Sequence, residues 1–281
     1  MRKTILCMSL ALLFLFGCST PTDHDVSDDV YTSGLSTEPA SEINTVPNTE
    51  MHTESPTESI ISFDTDPGMY LETYTDESTS DYLDYYLFVP ENADFNMPLV
   101  VFLHGDGEVL NPRNLENYGP VKAAKMIYGE DFPFIALYPC TRVYSWVDEP
   151  IPQTLMGLIK SISERMASDP ERIILTGHSR GSSGVWNMLS LYGDYFSAAV
   201  PISCGPSTKL QYETVSKVPI KAVAGTIGEY EINYGKAMRK TVDKLIEFGG
   251  CAEMIYMDNL DHSGTSFGAF TDTMFDWMFS Q

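Results

Sequence analysis

One pentapeptide constrains this chain more than any other stretch: Gly177-His178-Ser179-Arg180-Gly181. It follows the apolar run Arg172-Ile173-Ile174-Leu175-Thr176 and precedes Trp186-Asn187-Met188-Leu189-Ser190-Leu191, a helix-like segment. A serine between two glycines at a strand-to-helix junction predicts a sharp turn with the hydroxyl exposed at its crest. The glycines are needed because such a turn brings backbone against neighbouring strand and helix, where a Cβ would clash. The pattern alone is common; its strand–turn–helix setting gives it weight.

The surrounding sequence repeats that alternation. Strands are expected over Met69–Tyr74, over Leu83–Val89 (stopped by Pro90), and over Pro98–Leu103, a continuous apolar run of the kind buried on both faces. Further strands are expected at Phe134–Tyr138, ended by Pro139, then into Gly177, at Ala198–Ser203, at Ile220–Ala224 and at Ala252–Met257. Helices are expected over Asn114–Tyr128, Gln153–Ala167, the stretch after Ser179, Asn233–Phe248 (closed by Gly249-Gly250) and Phe267–Phe279. Strands alternating with helices predict an α/β domain, a mostly parallel sheet with helices on both faces.

That domain is expected over residues 67–281. Before it, Met1-Arg2-Lys3 and an apolar run from Ile5 to Phe16 read as a secretory signal, too short to span a bilayer comfortably. Its ending, Leu15-Phe16-Gly17-Cys18, resembles the lipobox of bacterial lipoproteins. That resemblance implies that residues 1–18 form the signal, that Cys18 carries the lipid, and that the chain is held on an extracytoplasmic membrane face. Residues 19–66 hold eleven acidic residues and no Lys or Arg, with only scattered apolar ones. Such a segment cannot offset its chain entropy by burial, so it reads as a disordered tether. The whole chain has a net charge of -22, and both the tether and the domain are acidic. This argues against nucleic-acid partners and against electrostatic docking on anionic lipid. Cys140, Cys204 and Cys251 lack C-x-x-C spacing, which disfavours metal binding and redox catalysis.

Serine attack on an acyl carbon needs a nucleophile, a base, a group that orients the base, and donors for the developing oxyanion. Of five histidines, His24 and His52 lie in the tether, His178 adjoins Ser179, and His104 ends a buried strand. His262, after the last strand and on the same expected sheet edge as Ser179, remains as the base. The oxyanion donors expected are the amide of Arg180 and those of the loop Gly105-Asp106-Gly107.

With Pro98–Gly107, Asp169–Gly181, Tyr195–Ser203 and Asp261-His262 in place, the chain resembles the α/β-hydrolases, in their dienelactone-hydrolase, carboxylesterase and polyhydroxyalkanoate-depolymerase-like branch. The resemblance implies a Ser179 nucleophile, a His262 base, and no metal or cofactor. Pro139 and Trp146 match a segment that often lines the substrate site there; Trp146 could equally be packing. His104 is placed in the same lining. The acid departs from the pattern, because no aspartate follows the seventh strand in Gly225-Thr226-Ile227-Gly228-Glu229-Tyr230-Glu231. Glu229 and Glu231 both remain open, with Asp258 and Asp261 behind them. About sixteen residues separate the strand ending at Ser203 from that beginning at Ile220, which leaves little or no lid. The expected activity is hydrolysis of exposed carboxylic esters, on small molecules or polysaccharides. A prolyl-oligopeptidase-type peptidase and a non-catalytic surface binding protein on the same scaffold are the alternatives.

Overall fold

The computed structural model describes residues 65–106, 112–141, 143 and 145–281. The signal with Cys18, nearly all of the tether, and Gly107 lie outside the described residues.

Eight strands form one sheet: β1 (Gly68–Thr75), β2 (Tyr82–Val89), β3 (Leu99–Leu103), β4 (Ile135–Cys140), β5 (Ile173–His178), β6 (Ala198–Ile202), β7 (Ile220–Gly225) and β8 (Ala252–Met257). Their order is β1-β2-β4-β3-β5-β6-β7-β8. β2 runs antiparallel to β1 and β4, and the remaining neighbours are parallel. The chain leaves β3 for β4 on one side and returns to β5 on the other. That reversal opens a crevice at the carboxyl ends of β3 and β5, where loops can converge.

Alternation along each strand sorts the core onto two faces. Leu99, Val101 and Leu103 face one cluster. It contains residues of α2 (Ile151–Arg165), α3 (Arg180–Tyr192) and α5 (Glu229–Glu247). Val100 and Phe102 face the other, which contains residues of α1 (Gly119–Tyr128) and α7 (Asp272–Phe279). Between β6 and β7 there is only the single helical turn α4 (Tyr212–Val215), so no lid domain is inserted there among the described residues. The remaining short helix is α6 (Thr265–Gly268). Among the described residues, no helix is long and apolar enough to cross a membrane.

Four element boundaries differ from expectation, each for a local reason. The helix expected over Asn114–Tyr128 is a 3-10 turn at Pro112–Asn117 followed by α1, with Tyr118 extended between them. Pro120 excludes the helical conformation from the residue before it, and Gly119 takes φ +64. Pro139 does not end β4. The Ile135 N–H points at β3, onto the Pro98 carbonyl, so residue 139 faces the same way. Pairing with β3 is already over at Leu137, and the missing N–H costs the sheet nothing. The last helix is two pieces, because Thr271 starts α7 afresh, its hydroxyl accepting from the Met274 N–H. Finally, α5 begins at Glu229 rather than Asn233, with both glutamates in its first turn, where acidic side chains suit the helix dipole.

The closest approach in the fold is backbone on backbone. A Cβ on Gly181 would stand 1.9 Å from the Leu103 carbonyl oxygen, so α3 sits against β3 only because residue 181 has no side chain. Gly181→Ala is expected to lower the unfolding free energy in urea by about 3 kcal/mol or more. Gly205→Ala, whose Cβ would meet its neighbours at an ordinary 3.6 Å, should change it by less than about 1 kcal/mol. Equal effects would refute the close-packing argument.

Candidate active site

Ser179 stands between β5 and α3 with φ 54 and ψ -119, a left-side conformation that costs a residue bearing a Cβ about 1–3 kcal/mol. Its surroundings impose it: the Ser179 N–H donates to the Ile202 carbonyl at 2.9 Å, and its own carbonyl accepts from the Ser182 N–H at 3.0 Å. The backbone is tied on both sides, and the hydroxyl is left pointing into the crevice.

Two further elements, the loop after β8 and the start of α5, extend a relay of side chains from that hydroxyl. The Ser179 Oγ–H donates to His262 Nε2 at 2.9 Å. His262 Nδ1–H in turn donates to Glu231 Oε2 at 2.7 Å. The loops carrying the base and the carboxylate are bound to each other, since the Leu260 carbonyl accepts from the Thr226 and Ile227 N–H groups at 3.1 and 3.0 Å. They can meet so closely because Gly225 lacks a Cβ, which would lie 2.2 Å from the same carbonyl oxygen.

Glu231 is 1% exposed, and its other oxygen accepts from Ser203 Oγ and the Gly225 N–H, each at 2.6 Å. Burial pushes the carboxyl pKa up. The hydrogen bonds from His262, Ser203 and Gly225 outweigh it and hold the group below its usual 4.5. A buried ionised carboxylate therefore faces the imidazole, fixes its tautomer, and would stabilise an imidazolium.

The structure separates the two glutamates that the sequence leaves open. Residues two apart on a helix lie about 200° apart around its axis, so Glu231 turns inward while Glu229 is exposed and contacts neither Ser179 nor His262. Asp261 is also turned away, its Oδ1 accepting from the Gly264 N–H at 2.8 Å.

On the other side of the nucleophile, Gly105 and Asp106 line one hollow of about 360 Å³ together with Ser179, His262, Tyr118 and Tyr234. The Asp106 carboxylate pairs with the Arg180 guanidinium, fastening the loop after β3 to the start of α3. The Arg180 amide belongs to the first turn of that helix, whose leading N–H groups have no partner within it. His104 does not line the hollow. It is 1% exposed; its Nε2 accepts from the Thr141 N–H at 3.3 Å and its carbonyl from Trp146 Nε1–H at 2.9 Å. It clasps the ends of β3 and β4 together, because a ring just past the end of a buried strand has only the interior to enter. Trp146 is likewise 1% exposed, and its edge borders a neighbouring hollow with Ser145, Arg180 and Ser183.

Four site residues escape the sequence reading: Ser203, Thr265, Tyr234 and the buried His178. Ser203 and Thr265 carry no pattern of their own. Tyr234 follows Glu231 by three residues and so shares its helix face. Among the described residues there is no group of three or more His, Cys, Asp or Glu disposed to hold a metal ion.

No protein-family model matches the sequence, and no curated protein matches it. Solved structures do. A thermostable esterase is 26% identical with a TM-score of 0.64 over 76% of this chain, which spans 63% of that esterase's length. An S-formylglutathione hydrolase from Agrobacterium tumefaciens is 14% identical, TM-score 0.57, covering 78% of this chain and 98% of its own. A feruloyl esterase module from Clostridium thermocellum, complexed with sinapinate, is 14% identical, TM-score 0.55, covering 72% and 84%. The fold is the α/β-hydrolase fold. Within this fold the strained turn predicts its own test. Ser179→Gly should be more stable than Ser179→Ala by about 1–2 kcal/mol in thermal or urea unfolding, because only glycine relieves the backbone. An alanine variant as stable as the glycine variant would contradict the strain.

Proposed function

We propose that this protein is a serine esterase that hydrolyses carboxylic esters through an acyl-enzyme. The single observation that carries this reading is the unbroken chain from Ser179 Oγ through His262 to a buried Glu231, at 2.9 and 2.7 Å.

In the proposed cycle the Ser179 oxygen attacks the ester carbonyl carbon as its proton passes to His262 Nε2. The carbonyl electrons move onto oxygen, toward the Arg180 amide and the Gly105–Asp106 loop. The adduct collapses, the bond to the alcohol oxygen breaks, and that oxygen takes the proton from Nε2. Water then attacks the acyl-serine, gives a proton to the same nitrogen, and the second collapse releases the acid and restores the serine hydroxyl. Glu231 stays ionised throughout and offsets the charge on the imidazolium.

The largely polar lining of the hollow and the short β6–β7 connection favour esters with small or polymer-borne acyl groups over long lipid chains, which need a tunnel to bury them. The extracytoplasmic setting rests on the sequence of residues 1–66: a lipid on Cys18 and an acidic tether would hold the domain away from the membrane surface.

Hydrolysis of p-nitrophenyl acetate by the whole chain tests the assignment. Ser179→Ala and Glu231→Gln should each lower kcat by about a thousandfold or more, whereas Glu229→Gln should stay within about twofold of the parent. Full activity without the Ser179 hydroxyl, or equal losses at the two glutamates, would refute it. A proline-containing peptide amide run in parallel separates a peptidase from an esterase.

A further inference from the structure

The histidine inside the pentapeptide has no part in the steps above. It is the last residue of β5, 4% exposed, and it borders the same hollow as Ser179 and His262 without a hydrogen bond to the Ser179 hydroxyl. His178 Nε2 lies 2.7 Å from the backbone carbonyl oxygen of His262, with the two ring centroids 4.8 Å apart. A carbonyl oxygen only accepts, so Nε2 holds the proton, and in the neutral ring Nδ1 is left bare. That nitrogen is buried without a hydrogen-bond partner among the described residues. Burial, with the neighbouring His262 adding to it, lowers the ring's pKa to about 4. The ring is therefore neutral wherever an imidazole base can work.

The same His262 carbonyl also accepts from Thr265 Oγ1 at 2.8 Å. Thr265 Oγ1 stands 2.7 Å from Ser203 Oγ, which donates to Glu231. These contacts close a ring from the His262 carbonyl through Thr265, Ser203 and Glu231 back to the His262 side chain, and His178 joins it from outside at the carbonyl. One carbonyl thus has two donors from two different elements, and one of them is an imidazole whose second nitrogen is desolvated without compensation. Simple satisfaction of a loop carbonyl requires neither.

We propose that His178 is a positioning residue, whose Nε2–H fixes the His262 backbone so that the His262 ring spans Ser179 and Glu231 at once. Its kinetic consequence rests on the esterase reading; its geometric consequence does not. Displacement of a reacting group by about an ångström costs on the order of a hundredfold in rate, and one hydrogen bond on a short loop is enough to set such a displacement.

Three variants of the whole chain test this. His178→Phe keeps a flat ring and removes the donor. His178→Asn keeps an amide too short to reach the carbonyl. His178→Gln places an amide nitrogen near the position of Nε2. For p-nitrophenyl acetate, kcat is expected to fall about tenfold or more in the Phe and Asn variants with KM nearly constant, and to recover to within about threefold of the parent in the Gln variant. Proton NMR supplies a readout that needs no substrate. The far-downfield resonance of His262 Nδ1–H, assigned by its absence from Glu231→Gln, should persist in the Gln variant and broaden or vanish in the other two. Retention of both kcat and the resonance in the Phe or Asn variant would overturn the proposal, as would equal loss in all three. If the Phe variant does not fold, the Asn and Gln pair decides. If the parent cleaves no ester, the esterase reading fails, and the resonance still decides the positioning role.

Discussion

The site depends on one contact between two stretches of backbone, Gly181 of α3 against the Leu103 carbonyl of β3. It lets the helix after β5 start immediately, without a spacer, and so forces the residue before it into a positive φ. A serine held there cannot withdraw its hydroxyl into a helix or a ladder. The same contact brings the loop after β3 alongside the first turn of α3, where the Asp106–Arg180 pair fastens it. Ser179 and the candidate oxyanion donors are thus placed by packing before any side chain chooses a rotamer.

The base and the carboxylate are placed by a second close approach, Gly225 against the Leu260 carbonyl. Loops from β7 and β8 are joined there, and their side chains meet beyond the join. Charge then does what packing began. A carboxylate 1% exposed would ordinarily take up a proton, yet donors from His262, Ser203 and the Gly225 N–H keep it ionised. Those three donors come from the ends of β6 and β7 and the loop after β8, so the carboxylate also records whether the crevice is assembled. Ser203 and Thr265, both fully buried, are the polar links between the carboxylate and the backbone of the base.

Much of this was legible in the sequence, and the failures have definite causes. The mostly parallel sheet followed from the alternation of strands and helices, the turn from two glycines, and the choice of His262 from elimination among five histidines. The acid stayed ambiguous because Glu229 and Glu231 both sit in one helical turn, and which of them turns inward depends on the helix phase. That phase was present in the residues: Gly235, Met238, Val242 and Leu245 are buried at helical spacing, and one step back along their stripe lands on Glu231. Starting the helix at Asn233 cut the stripe short. His104 was rightly read at the end of a buried strand but was also expected to line the substrate site, whereas its ring and carbonyl are taken up by Thr141 and Trp146. His178, Ser203 and Thr265 were invisible for a different reason. His178 meets the His262 carbonyl 84 residues on, Ser203 meets Glu231 and Thr265 28 and 62 residues on, and hydroxyls and imidazoles leave no periodic trace.

The most direct test of the central claim is to treat the folded protein with a fluorophosphonate and measure its intact mass, followed by peptide mapping. Attack by an activated serine expels fluoride and leaves a phosphonate ester on oxygen, so the mass should rise by one adduct per chain, located on the peptide containing Ser179. A folded protein that gains no adduct, or carries it on another residue, would contradict the account.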